Sequence, residues 1–109
     1  MYGNFSRANR QNDDQRLKVE GWLVWEPGDV RTELTITVTQ GTTSGHSETV
    51  TVERTGDQDP DRWEAEVVPA NGSGPWAKGT AAGLAGASTA RQSGDPVASS
   101  WNAGPLHVD

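Results

Sequence analysis

The chain has 109 residues, enough for one hydrophobic core and too few for a large enzyme or a multi-module receptor. Its 9 basic and 15 acidic residues leave a net charge of -6, which sets it against phosphate backbones and anionic lipid surfaces, so nucleic acid is excluded as an expected partner. The absence of cysteine excludes disulfides, thiol catalysis and cysteine-held metal; no run of 18 apolar residues could cross a membrane, and the opening residues lack the apolar segment of a secretory signal.

Residues 1–16 (MYGNFSRANRQNDDQR) are polar, show neither helical nor strand periodicity, and read as a flexible arm ahead of a single domain over 17–109. From Leu17 the period becomes two. Leu17, Val19, Gly21, Leu23 and Trp25 share one face, while Lys18, Glu20, Trp22, Val24 and Glu26 share the other. After a Glu26-Pro27-Gly28-Asp29 turn, Val30, Thr32, Leu34, Ile36 and Val38 alternate with polar residues in the clearest strand of the chain. Gly41 to Gly45 reads as a turn and Val50 with Val52 as the returning strand of a hairpin.

Trp63, Ala65 and Val67 mark a fourth strand, and the Pro69 to Pro75 stretch a loop. The segment from Lys78 to Arg91 has alanines that suit a helix and glycines that oppose one. Period two puts Ala81, Gly83, Ala85, Ala87 and Thr89 on one face, and we read it as a strand lying beneath bulky rings. The last one or two strands run from Val97 to Val108, interrupted near Gly104-Pro105. Leu, Ile, Val and Phe number only 17, a disorder-like composition, but five tryptophans concentrate apolar area in a few large rings.

Six or seven short strands without a convincing helix imply an all-β antiparallel sandwich or small barrel. The Leu-Thr-Ile-Thr-Val-Thr-Gln strand, the Trp-x-Ala-x-Val strand, the small-residue strand after Trp76, and Trp101 followed by Leu106-x-Val108 together resemble an immunoglobulin-like or fibronectin type III-like β-sandwich. Such domains are frequent in exported bacterial surface proteins and virion components, and the Gly, Ala and Thr bias is similar to proteins of high-GC bacteria and their phages. The resemblance is architectural and carries no site residue onto this chain.

Five features are candidate sites. His46 and His107 stand outside any nucleophile-elbow or metal-binding pattern and read as surface residues, and Glu64 with Glu66 as a solvated face; no catalytic residue is assigned. Asp57, Asp59 and Asp61 alternate and offer hard oxygen ligands to calcium, but Arg62 and Val68 stand where an EF-hand needs Gly and Glu, so an acidic turn competes with a calcium loop. No other cofactor is implied. Trp25, Trp63 and Trp101 are in phase with core positions, whereas Trp22 is out of phase and Trp76 sits beside a glycine-rich loop; either is a binding platform or a cover for a sheet. Asn4-Phe5-Ser6 and Asn71-Gly72-Ser73 match the glycosylation pattern and read as loop chemistry. Tyr2 and Phe5 in the arm are docking residues for a neighbouring subunit, or the arm is a linker.

These readings converge on a non-enzymatic structural or adhesive module. It would act through protein–protein contacts in a cell-surface or virion assembly, as a homo-oligomer or part of a larger one, without nucleic acid or membrane insertion. The alternative is carbohydrate binding through Trp22 or Trp76. The expected location is extracellular, on a cell surface or in a virion, with the cytoplasm also open because no signal is visible.

Overall fold

The structure is a computed structural model that describes residues 1–11, 13–56, 60–70 and 73–109. Among the described residues eight strands follow one another: β1 (Tyr2–Gln11), β2 (Arg16–Val24), β3 (Asp29–Gln40), β4 (Thr43–His46), β5 (Val50–Glu53), β6 (Asp61–Pro69), β7 (Gly79–Arg91) and β8 (Val97–Val108). Each strand joins the next in the order β4-β6-β2-β1-β8-β7-β3, and β4 then pairs back onto β3, so seven strands close a barrel. β5 lies on the same edge of β3 as β4, opposite residues 31–34 where β4 faces 37–40. Seven strands about 4.8 Å apart and tilted by about 40° make a backbone ring roughly 14 Å across, and about 5 Å of outward side chain on each side brings it to roughly 24 Å. The two short axes of the molecule measure 24 and 22 Å.

The all-β class stands, but the antiparallel immunoglobulin-like sandwich does not. A sandwich keeps sheet edges; here two segments read as irregular remove them. The first is the supposed flexible arm, which forms β1, pairs along its length with β2, and meets β8 in parallel at Ala8↔Val108. Its end is locked by Asp109 N–H donating to the Ala8 carbonyl at 3.0 Å and Arg10 N–H donating to the Asp109 carbonyl at 3.1 Å. The second is Thr43–His46, read as part of a turn, which forms β4 and bridges β3 to β6. The expected interruption near Gly104-Pro105 takes the form of a register shift, with Ala81 paired to Leu106 and Gly83 to Ala103, while β8 continues through it.

β1 hides its strand character for a physical reason. Its inward residues are Gly3, Phe5 and Ala8, and a bulge between Phe5 and Arg7 shifts the phase, so no regular apolar stripe is written in the sequence. Gly3 is small because the Trp101 indole lies where a Cβ would project, and Phe5 meets Trp63 edge-on at 5.3 Å between ring centroids. The small inner face of β7 works the same way: the Phe5 ring lies 3.0 Å from where a Cβ at Gly83 would project, with Leu106 beside it at 3.4 Å. The core is filled by Leu17, Val19, Leu23, Leu34, Ile36, Val38, Trp63, Val67, Trp76 and Val108, and Thr32 and Thr89, both buried, bond to each other through their hydroxyls at 3.1 Å. Placing large rings against glycine and alanine is how a chain with few branched aliphatics still packs an interior.

Candidate functional site

The outer wall made by β1, β2 and β6 carries the aromatic site. Register places Tyr2 opposite Val24 and Asn4 opposite Trp22, with Trp22 opposite Arg62 on the other side. Directly paired residues share a face, so Tyr2, Trp22 and Val24 form one patch, with exposures of 60, 43 and 37%. The backbone beneath is firm. Asn4 Oδ1 accepts the Trp22 N–H at 3.0 Å, and Ser6 Oγ donates to the Glu20 carbonyl at 3.2 Å. Asn4 is therefore an exposed strand residue tied to the neighbouring strand, not part of a loop.

Beside the patch lies a carboxylate that sequence reasoning missed. Glu20 projects outward, yet its side chain is only 6% exposed because Arg7, Lys18 and Arg62 close over it; Arg7 Nε lies 3.0 Å and Lys18 Nζ 3.6 Å from its oxygens, and Arg62 makes the closest contact. Burial alone would push the Glu20 carboxyl up, but Arg62 and then Arg7 outweigh it and hold it below the ordinary carboxylate value. Lys18 is raised, first by its hydrogen bond to Glu64 at 3.1 Å. The three cations come from β1, β2 and β6, so only the strand order brings them together.

The other predicted positions divide clearly. Trp76 is not a platform: it is 1% exposed and its Nε1 donates to the Val67 carbonyl at 3.2 Å, so the loop carries it into the core. Phe5 is packed in the interior against Trp63 and leaves Tyr2 as the one exposed aromatic of β1. Trp63 is buried as expected, while Trp25 and Trp101 are half-buried and pack against the core from its margin. Asp57 and Asp59 lie outside the described residues, as do Asn71 and Gly72. Asp61 is described, and its oxygens are occupied by protein: Trp25 Nε1 donates to it at 2.7 Å, the Thr55 N–H at 3.0 Å, and the Thr55 hydroxyl also donates. Burial pushes its carboxyl up, but those donors win and lower it. It serves as a loop clamp rather than a free calcium ligand, and among the described residues no cluster of three metal-ligating side chains occurs.

A second feature is a cleft of about 580 Å³ between β5 and β6, with His46, Glu48, Glu64 and Glu66 on its rim and Ser47 and Ala65 at its base. It gathers a histidine and three carboxylates, but Glu64 is held by Lys18 and Glu66 by Arg16 at 3.3 Å. Neither glutamate is oriented toward His46 by a hydrogen bond, so the arrangement shows no base-and-orienter pair. Compared with protein-family models, with curated proteins and with solved structures, the chain matches none.

Proposed function

We propose that the chain is a non-enzymatic structural or adhesive module that acts through protein–protein contacts in a cell-surface or virion assembly, with the β1–β2 wall at Tyr2, Trp22 and Val24 as its contact face. The observation that carries this reading is the patch itself: three apolar side chains stand exposed side by side on a strand pair whose backbone is fixed from both sides. Exposed aromatic clusters rimmed by charge are the usual composition of a contact centre, and here Arg7, Arg62 and Glu20 supply the rim. A rigid strand pair loses little entropy on docking.

A photo-crosslinking residue placed at position 22 in the source organism tests it, with the same residue at Thr35, on the far side of the barrel, as control. A discrete protein adduct at position 22, lost when Tyr2→Glu and Val24→Lys are added, is expected. Equal labelling at both positions would remove the assignment. Carbohydrate binding is the second reading, favoured by the polar Asn4 and Arg62 flanking the Trp22 indole as hydrogen-bonding groups flank a stacked sugar ring. A glycan-array signal abolished by Trp22→Ala in a folded variant would select it over the protein contact.

A further inference from the structure

The cleft between β5 and β6 marks the place where the barrel wall is not zipped. β3 pairs with β4 at Thr37↔His46 and with β5 at Leu34↔Val50, so three steps along β3 face four along the opposing chain. The extra residue is a bulge at Ser47–Thr49. Ser47 is buried at its base; its N–H donates to the Ile36 carbonyl at 2.8 Å, and its hydroxyl, in place of a backbone carbonyl, accepts the Ile36 N–H at 3.0 Å. That substitution satisfies β3 while turning Glu48 and Thr49 outward, and beyond it β5 follows β3 and leaves β6.

Both lips of the resulting seam carry ladder groups. The Arg54 N–H donates to the Val30 carbonyl, so Val50 and Val52 turn their backbone groups to β3 and Thr51 and Glu53 turn theirs to the seam. On the other lip the Ala70 N–H donates to the Ser44 carbonyl, and the same alternation turns the backbone of Glu64 and Glu66 into the seam. Among the described residues no ladder joins β5 to β6.

We propose that this seam binds an extended basic peptide by strand addition, the peptide backbone pairing with the Glu64–Glu66 edge of β6. The cleft has the volume of a ligand site, about 300–1,000 Å³ being the usual range. Its chemistry selects the occupant. Glu48, Glu64 and Glu66 on the rim outnumber Arg16 and the adjoining Lys18, so an added strand with Lys or Arg at alternate positions sets its charges opposite carboxylates. Its intervening apolar residues then face Ala65 and Val50. A second copy of this chain is disfavoured, because its own free lip at Glu64 and Glu66 and its net charge of -6 bring acid to acid. The seam lies on β5 and β6, apart from Tyr2, Trp22 and Val24, and does not depend on the contact face proposed above.

The experiment is an amide NMR titration of the full chain with an alternating lysine–valine hexapeptide, beside a version N-methylated at its lysines, whose N–H groups an antiparallel strand turns to Glu64 and Glu66, and a glutamate–valine version. Saturable shifts centred on the Glu64 and Glu66 amides, with slowed hydrogen exchange there, are expected for the first peptide only. Glu64→Lys with Glu66→Lys should weaken binding about tenfold or more, from two attractive cross-strand pairs turned repulsive. Equal binding of the N-methylated peptide would show plain charge attraction and overturn the proposal, as would shifts centred elsewhere or no saturable binding.

Discussion

Asp61 shows how one side chain can hold a loop and set an acid limit. It accepts hydrogen bonds from the Trp25 indole and from both the N–H and the hydroxyl of Thr55, tying the end of β2 and the loop after β5 to the start of β6. The net effect lowers its carboxyl below the ordinary value of 3.8. The folded protein therefore keeps this charge to lower pH than the unfolded chain, which takes up the proton first. Its contribution is full above 3.8 and fades as pH falls through the lowered value. Asp29 behaves alike: burial opposes its charge, but the Glu26 N–H, the Met1 ammonium at 2.9 Å and Arg91 at 3.1 Å overcome that cost. In urea unfolding between pH 6 and pH 2, Asp61→Asn should start from a lower stability and lose less of it on acidification than the parent; parallel curves would show that Asp61 is not linked to folding.

At the scale of elements, β1 is the segment whose role changes most. It lies between β2 and β8, so it is an interior member of the wall, and its inward Gly3, Phe5 and Ala8 receive or fill space beside Trp101 and Trp63. Removing residues 1–11 would open the ring on both sides of the gap, bare two strand edges and expose Trp63 and Trp101. The expected outcome is loss of cooperative thermal unfolding with a red-shifted tryptophan emission, whereas a detachable arm would leave both unchanged. The contrast with β3 is instructive. From Thr32 to Val38 its four buried residues alternate without a break and the residues between them are polar, so this inner face was plain from residue spacing alone. β1 has two small inward residues and a bulge, and β4 is four residues long with a glycine buried against the Val68 carbonyl, so neither carries a stripe that periodicity can detect.

The whole molecule is closed by contacts between distant parts of the chain. β1 joins β8, from the opposite end of the chain, in parallel at Ala8↔Val108, β3 pairs with β7, and β2 with β6, while among the described residues β5 and β6, neighbours in sequence, share no ladder. Loop closure must be met before those pairings stabilise anything, so folding should be slow for a chain of this size. Stopped-flow refolding followed by tryptophan fluorescence should give a main phase in the range of about a millisecond to a second. Completion within microseconds would mean that local structure, not ring closure, governs the barrier.

Alternation in the sequence by itself determined the all-β class, the inner faces of β2, β3, β6 and β7, the burial of Trp63 and the exposure of Trp22, because side-chain direction in a strand follows from period two whatever the strand pairs with. Tertiary structure alone decided that the wall closes into a barrel, that Trp76 turns inward, that three cations from three strands meet on Glu20, and that a slip of one residue at Ser47 opens a seam. Each of these depends on which strand lies beside which and in what register. Those are properties of pairs of segments far apart in the chain, and no local pattern encodes them.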